Sequence, residues 1–203
     1  MHLHRLTIAL VLVLAAPAPS AAADYTFSWC LPLPQGNPLG GTSFRDQNVG
    51  FAVGDRGAVI RTSDGGVSWT QLEQFPAFAA DLEDVLVLPS GDLLAVGAPP
   101  GIFRSTDAGS TWTPVPNPSS ARLIDIEVAI GTTLYAIGHG GQVLRSSDLG
   151  VTWALLAAPA QNDLGEQYWF DAQTGYVVGD LLARRTTNGG QSWQSLAGVT
   201  EVD

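Results

Sequence analysis

One nine-residue phrase occurs four times in the chain. It reads RTSDGGVSW at residues 61–69, RSTDAGSTW at 104–112, RSSDLGVTW at 145–153 and RTTNGGQSW at 185–193. The tryptophans that close it, Trp69, Trp112, Trp153 and Trp193, are spaced by 43, 41 and 40 residues. A repeat this long is one supersecondary unit that cannot bury its own apolar faces and must stack on its neighbours.

Two apolar runs precede each phrase. The nearer ends in glycine: GFAVG at 50–54, LLAVG at 93–97, LYAIG at 134–138 and GYVVG at 175–179. The farther begins at Leu82, Leu123 and Leu164 in the later units. Runs of β-branched and apolar residues between Gly, Asn and Asp punctuation read as strands. Each unit therefore predicts four short antiparallel strands, A (inner) to D (outer). In the first unit these fall at about 41–45, 49–54, 58–62 and 68–73. The strands are apolar in runs rather than alternating, as in sheets covered on both faces. The predicted fold is all-β, a β-propeller of four-stranded blades, with four blades present. The blades span 41–80, 81–121, 122–162 and 163–198, after an N-terminal strand D-like segment at 24–40 and before a start of a further unit or tail at 199–203.

The phrase falls between strands C and D. Its pattern, [ST]-x-[DN]-x-G-x-[ST]-W, resembles the Asp-box, or bacterial neuraminidase repeat. The acid can accept hydrogen bonds from its own turn, the glycine two residues after it permits positive φ, and the tryptophan can pack on a neighbouring strand. The residues in these roles are Asp64, Gly66 and Trp69; Asp107, Gly109 and Trp112; Asp148, Gly150 and Trp153; and Asn188, Gly190 and Trp193. Four copies suit a structural staple better than a catalyst. Asn188 fits that reading, because an amide can form the turn but cannot act as a carboxylate base.

Acids outnumber bases 19 to 9, and the formal net charge is −10. Such a chain repels phosphate, so nucleic acid and anionic membrane surfaces are poor partners for it. Residues 1–23 read as a signal peptide, with an apolar run at 6–16 and small residues Ala21 and Ala23 before Asp24. The apolar run is short for a membrane span. The expectation is an exported protein, periplasmic or extracellular, with no membrane insertion after cleavage. The single cysteine, Cys30, allows no internal disulfide.

Residues 29–69 carry W-x-x-P, Q-G-N-x-L, F-x-D-x-x-x-G-[FW]-A-V-G and the Asp-box. This segment resembles repeats of the photosystem II assembly and stability factor family and its exported bacterial relatives. The resemblance extends through Trp193. It implies a seven-bladed propeller and a non-catalytic role in protein interaction or complex assembly. This chain offers four units, either a four-bladed ring or part of a larger propeller. The last unit already has a strand D at 191–197, so the strand-like segment at 27–34 has no vacancy to fill. An open arc would leave sheet faces and an edge available for self-association.

The competing class is a carbohydrate-active Asp-box protein, a sialidase-like or other glycoside hydrolase or a carbohydrate-binding protein. Sialidases use a tyrosine nucleophile, and other glycosidases a carboxylate pair. No F/Y-R-I-P motif is present, and no tyrosine or pair of acids is singled out. No catalytic residue and no cofactor is predicted. Three sets of residues are carried forward. Arg61, Arg104, Arg145 and Arg185 precede each Asp-box and read as blade-to-blade contacts or as a basic stripe for an acidic partner. Asp84, Asp125 and Glu166, with Gly41 as the first-unit equivalent, begin strand A and read as backbone caps or as a weak cation site. The B–C turns, holding Asp55, Arg56, His139 and Asp180, differ between units, as partner-binding loops on a shared scaffold do.

Overall fold

A computed structural model of the chain describes residues 36–72, 80–99 and 101–196. The expected signal peptide at 1–23, Cys30, the strand-like segment at 27–34 and the expected tail or start of a further unit at 199–203 lie outside the described residues.

Among the described residues, sixteen strands form four antiparallel four-stranded sheets, each in sequence order. Blade 1 holds β1 (Leu39–Phe44), β2 (Gly50–Gly54), β3 (Ala58–Thr62) and β4 (Thr70–Gln71). Blade 2 holds β5 (Leu82–Val87), β6 (Leu93–Gly97), β7 (Ile102–Ser105) and β8 (Thr113–Pro114). Blade 3 holds β9 (Leu123–Ile130), β10 (Thr133–Gly138), β11 (Val143–Ser146) and β12 (Ala154–Leu155). Blade 4 holds β13 (Leu164–Trp169), β14 (Gly175–Gly179), β15 (Leu182–Thr186) and β16 (Gln194–Ser195). Strand D is shorter than the expected 68–73. Ser68 donates both its N–H and its hydroxyl to Asp64, so it is not free for the ladder.

The cores lie between blades. All five residues of β6 are buried, and its two faces serve different neighbours. Leu93 and Ala95 pack with Phe51, Val53 and Val59 of blade 1. Leu94 and Val96 pack with Leu134, Ala136 and Leu144 of blade 3. In β10, Tyr135 and Ile137 turn instead to Leu164, Trp169 and Val177 of blade 4. This division is why the B strands read as unbroken apolar runs. Burying each such side chain favours the fold by about 1.5–3 kcal/mol before ordering costs.

The glycine that ends each B strand has a steric cause. A Cβ at Gly54, Gly97, Gly138 or Gly179 would strike the carbonyl of residue 38, 81, 122 or 163, where strand A begins. Beside this approach, strand A carries a register shift, between Leu39 and Gly41, Leu82 and Asp84, and Leu164 and Glu166, and opposite Ile137 and Gly138 in blade 3. Such a bulge re-aims the residue that follows it.

The two ends of the arc differ. On blade 1, Ala52, Ala58 and Ile60 face away from blade 2 and are buried. On blade 4, the face turned away from blade 3 exposes Tyr168 (55%), Phe170 (62%) and Val178 (42%).

Candidate functional site

The Asp-box turns share one network. Asp64, Asp107 and Asp148 each accept the backbone N–H and the hydroxyl of the Ser or Thr four residues on. These bonds, the hydroxyl first, hold the carboxyls of Asp64 and Asp148 down at about 2 and lower that of Asp107. Asn188 makes the same pair of contacts, its amide donating to the Ser192 hydroxyl at 2.8 Å. Underneath sits the hydroxyl of the Ser or Thr that opens the pattern. Thr62, Ser105, Ser146 and Thr186 are buried, and each accepts the N–H of the glycine two residues after the Asp or Asn (Gly66, Gly109, Gly150, Gly190) while donating to that Asp or Asn. Trp112 and Trp153 bend back to donate to Gly109 and Gly150, whereas Trp193 donates to the carbonyl of Ala157. Trp69 stands edge-on to Phe44, centroids 6.1 Å apart.

Arg61, Arg104 and Arg145 lie within the seams, and Arg185 takes the equivalent place on the outward face of blade 4. Each is the cross-strand neighbour of a B-strand residue: Arg61 of Phe51, Arg104 of Leu94, Arg145 of Tyr135 and Arg185 of Tyr176. Arg104 donates to the carbonyl of Leu149 in the next blade at 2.8 Å and meets Asp92 at 3.5 Å. Arg61 and Arg185 lie over the Phe51 and Tyr176 rings at 5.9 Å. All four are half-buried, so they do not form an open basic stripe.

The strand-A acids also bridge blades. Asp84 accepts from the Ile126 N–H at 3.1 Å, and Asp125 from the Gln167 N–H at 3.1 Å. The same register is used by Ser43, which accepts from Val87, and by Glu127, which accepts from Trp169. A side chain at Gly41 would overlap Asp84, which is why the first unit has none. Burial first, then the charge of Asp125, pushes the Asp84 carboxyl well up. The side-chain hydrogen bond between the two carboxyls raises Asp84 further and lowers Asp125. Burial also raises Asp125, and it raises Glu127 to about 7 with help from the Asp125 charge. Asp84 and Asp125 are thus joined to each other and to the backbone. Glu166 is exposed. Among the described residues, no group of three His, Cys, Asp or Glu is arranged to hold a metal ion.

The B–C turns form a rim against the D–A connections. The N–H of Arg56 donates to Asp81 at 3.0 Å, and that of Gly140 to Asp163 at 2.8 Å. His139 lies 3.8 Å from Asp163. Arg122 bridges back to Asp81 (2.9 Å) and Glu83 (3.0 Å). Asp180 accepts at its carbonyl from the Asn162 amide. Asp55, Arg56, His139 and Asp180 therefore share one rim. Asp81, Arg122 and Asp163, which hold it, were not singled out from sequence. Their one signal is position: each directly precedes the leucine that opens strand A.

Residues 28–119 match the family model described as photosystem II assembly factor YCF48. A solved structure of YCF48 bound to D1 peptide has 22% identity and a TM-score of 0.69, covering 85% of this chain and 59% of that one. YCF48 from Cyanidioschyzon merolae gives 19% and 0.64, covering 84% of this chain and 59% of that one. An ancestral GH74 enzyme shares the fold at 20% identity and a TM-score of 0.64, covering 80% of this chain and 24% of that one. This chain thus spans about 59% of the length of the YCF48 structures it matches. No curated protein matches it in sequence. The four Asp-box blades and these structural matches make the chain a β-propeller protein, and over residues 28–119, under half of its length, it is similar to the photosystem II assembly factor family.

Proposed function

We propose that the chain is an exported, non-catalytic scaffold of the assembly-factor kind, which holds a segment of another protein on the rim of its B–C turns. The carrying observation is the rim itself. Its backbone is fixed from blade to blade by Arg56 to Asp81 and Gly140 to Asp163, while the side chains it presents differ in each unit. A rigid frame with variable side chains recognises a partner at low ordering cost. One relative, YCF48 with a D1 peptide, carries a peptide on this fold. Self-association remains a second use of the arc, through the open face of blade 4.

The test compares the secreted chain with Arg56→Glu and His139→Glu variants in crosslinking to intact membranes and periplasm of the host. Loss of the same crosslinked partner peptide in both variants, with unchanged melting, supports the scaffold reading. Equal crosslinking sinks it. Turnover of sialosides or xyloglucan by the purified chain favours the carbohydrate-active alternative, whose likeness is to GH74 folds. An N-terminus at Asp24 on the secreted protein tests export.

A further inference from the structure

The seam between blades 1 and 2 holds an arginine without the recipients its counterparts have. In the seam between blades 2 and 3, Arg104 donates to the Leu149 carbonyl at 2.8 Å and meets Asp92 at 3.5 Å. In the seam between blades 3 and 4, Arg145 stands across from Tyr135 and hydrogen-bonds its hydroxyl. Blade 1 offers neither the acid nor the hydroxyl. Register puts Val49 where blade 2 has Asp92, since Gly50 pairs with Thr62 as Leu93 pairs with Ser105. It puts Phe51 where blade 3 has Tyr135. Arg61 lies over the Phe51 ring at 5.9 Å, with its Nε buried and unpaired. The Arg104 Nε is unpaired too, but both of its terminal nitrogens are engaged. Among the described residues, Arg61 has no hydrogen bond and no ion pair. A partly desolvated cation with no counter-charge favours an anion supplied from outside.

Arg61 opens on a recess of about 250 Å³, lined also by Ser63, Thr70 and Leu72. Arg61 and Thr70 are cross-strand partners on β3 and β4, and Leu72 follows Thr70 by two, so the three project from one face. That face is turned to blade 2, where a Cβ at Gly109 would meet the Leu72 Cδ1 at 2.9 Å. Ser63 and Thr70 are exposed, and among the described residues their hydroxyls have no partner. The Asp-box carboxylates beside the recess are committed to their own turns. Asp64 is held by Thr62 and Ser68, and Asp107 by Ser105 and Thr111.

We propose that this recess binds a small free carboxylate. The guanidinium fork of Arg61 takes the two carboxylate oxygens. The hydroxyls of Ser63 and Thr70 donate to the same oxygens, and Leu72 covers the aliphatic stem. At roughly 30 Å³ per water, the recess has room for about eight waters, the size of a short-chain organic acid. Strand β3 runs from the B–C turn to the Asp-box turn, so the recess lies at the strand end away from the rim and does not depend on what the rim holds.

The test titrates the purified chain with sodium butyrate and follows the Arg61 Nε–H and Leu72 methyl signals by NMR. Both are expected to shift saturably, while sodium chloride and butanol at the same concentration leave them in place. Arg61→Lys should weaken binding about tenfold, because an ammonium cannot fork a carboxylate. Thr70→Val, at an exposed strand position, should weaken it severalfold. Val49→Asp supplies from within the acid that Asp92 gives Arg104, and should abolish the butyrate shift of Leu72 without altering the lining. Equal shifts with chloride and butyrate, or undiminished binding in Val49→Asp, overturn the proposal. Binding of a glutamate-containing peptide without binding of butyrate also overturns it, because the carboxylate would then belong to a partner's side chain.

Discussion

The ring of Tyr135 lies on that of Trp169, with centroids 3.4 Å apart and planes 7° from parallel. The two residues belong to different blades, and the Tyr135 hydroxyl goes on to meet two carbonyls of blade 4. This contact closes the seam between blades 3 and 4. Tyr135→Phe keeps the stack and strands the carbonyls, so a loss of about 1–3 kcal/mol is expected. Tyr135→Ala also empties a fully buried site and should cost about 3–5 kcal/mol. Urea unfolding followed by tryptophan fluorescence separates the two.

The hydroxyl beneath each Asp-box turn makes a second prediction. Ser146 accepts the buried N–H of Gly150 at 2.8 Å. Ser146→Ala leaves that donor unpaired, an expected cost of about 1–3 kcal/mol. Ser146→Thr should be neutral, since Thr62 and Thr186 fill the equivalent place. Equal melting temperatures for wild type and the Ala variant would refute the assignment.

The acid above it behaves differently. Asp148→Asn should be nearly silent, because Asn188 already makes the same contacts. Asp148→Ala should lower the melting temperature. The pH dependence has a definite sign. Asp64 and Asp148 sit at about 2, below the ordinary 3.8. Their contribution is present above pH 4 and fades as pH falls towards about 2. Melting curves across that window should be flatter for the double Asn variant.

Glu127 has the opposite sign. Its folded carboxyl titrates at about 7, against an ordinary 4.5. Stability from this group is fully present below pH 4.5 and is lost as pH rises through about 7. Glu127→Gln should abolish that decline, measured as the difference in unfolding midpoint between pH 5 and pH 8. A decline of the same size in the variant refutes it.

Much of the fold was legible because the repeat is written in residues whose job is local. The Asp-box turn closes on itself, and its Asp, Gly and Trp can be read without knowing the neighbours. The B strands were legible as runs, since both faces are covered. What each residue of a run touches was not legible. Leu93 and Leu94 look alike in sequence, yet they serve opposite seams. The strand-C arginines were open for the same reason: the target of Arg104 is a carbonyl 45 positions away. Strand D was read too long because the competition for Ser68 is settled by the Asp64 carboxylate, not by strand propensity.

The placement of the cores between blades has a consequence for how such a chain gains and loses units. No sheet here owns its hydrophobic interior, so the cooperative element is the junction, and the energetics are those of a one-dimensional array coupled to nearest neighbours. Removing an inner blade deletes two junctions and creates one mismatched pair, whereas removing a terminal blade deletes one. Evolutionary change in blade number should therefore proceed by duplication or loss of contiguous units whose facing positions, such as Tyr135 and Trp169, travel together.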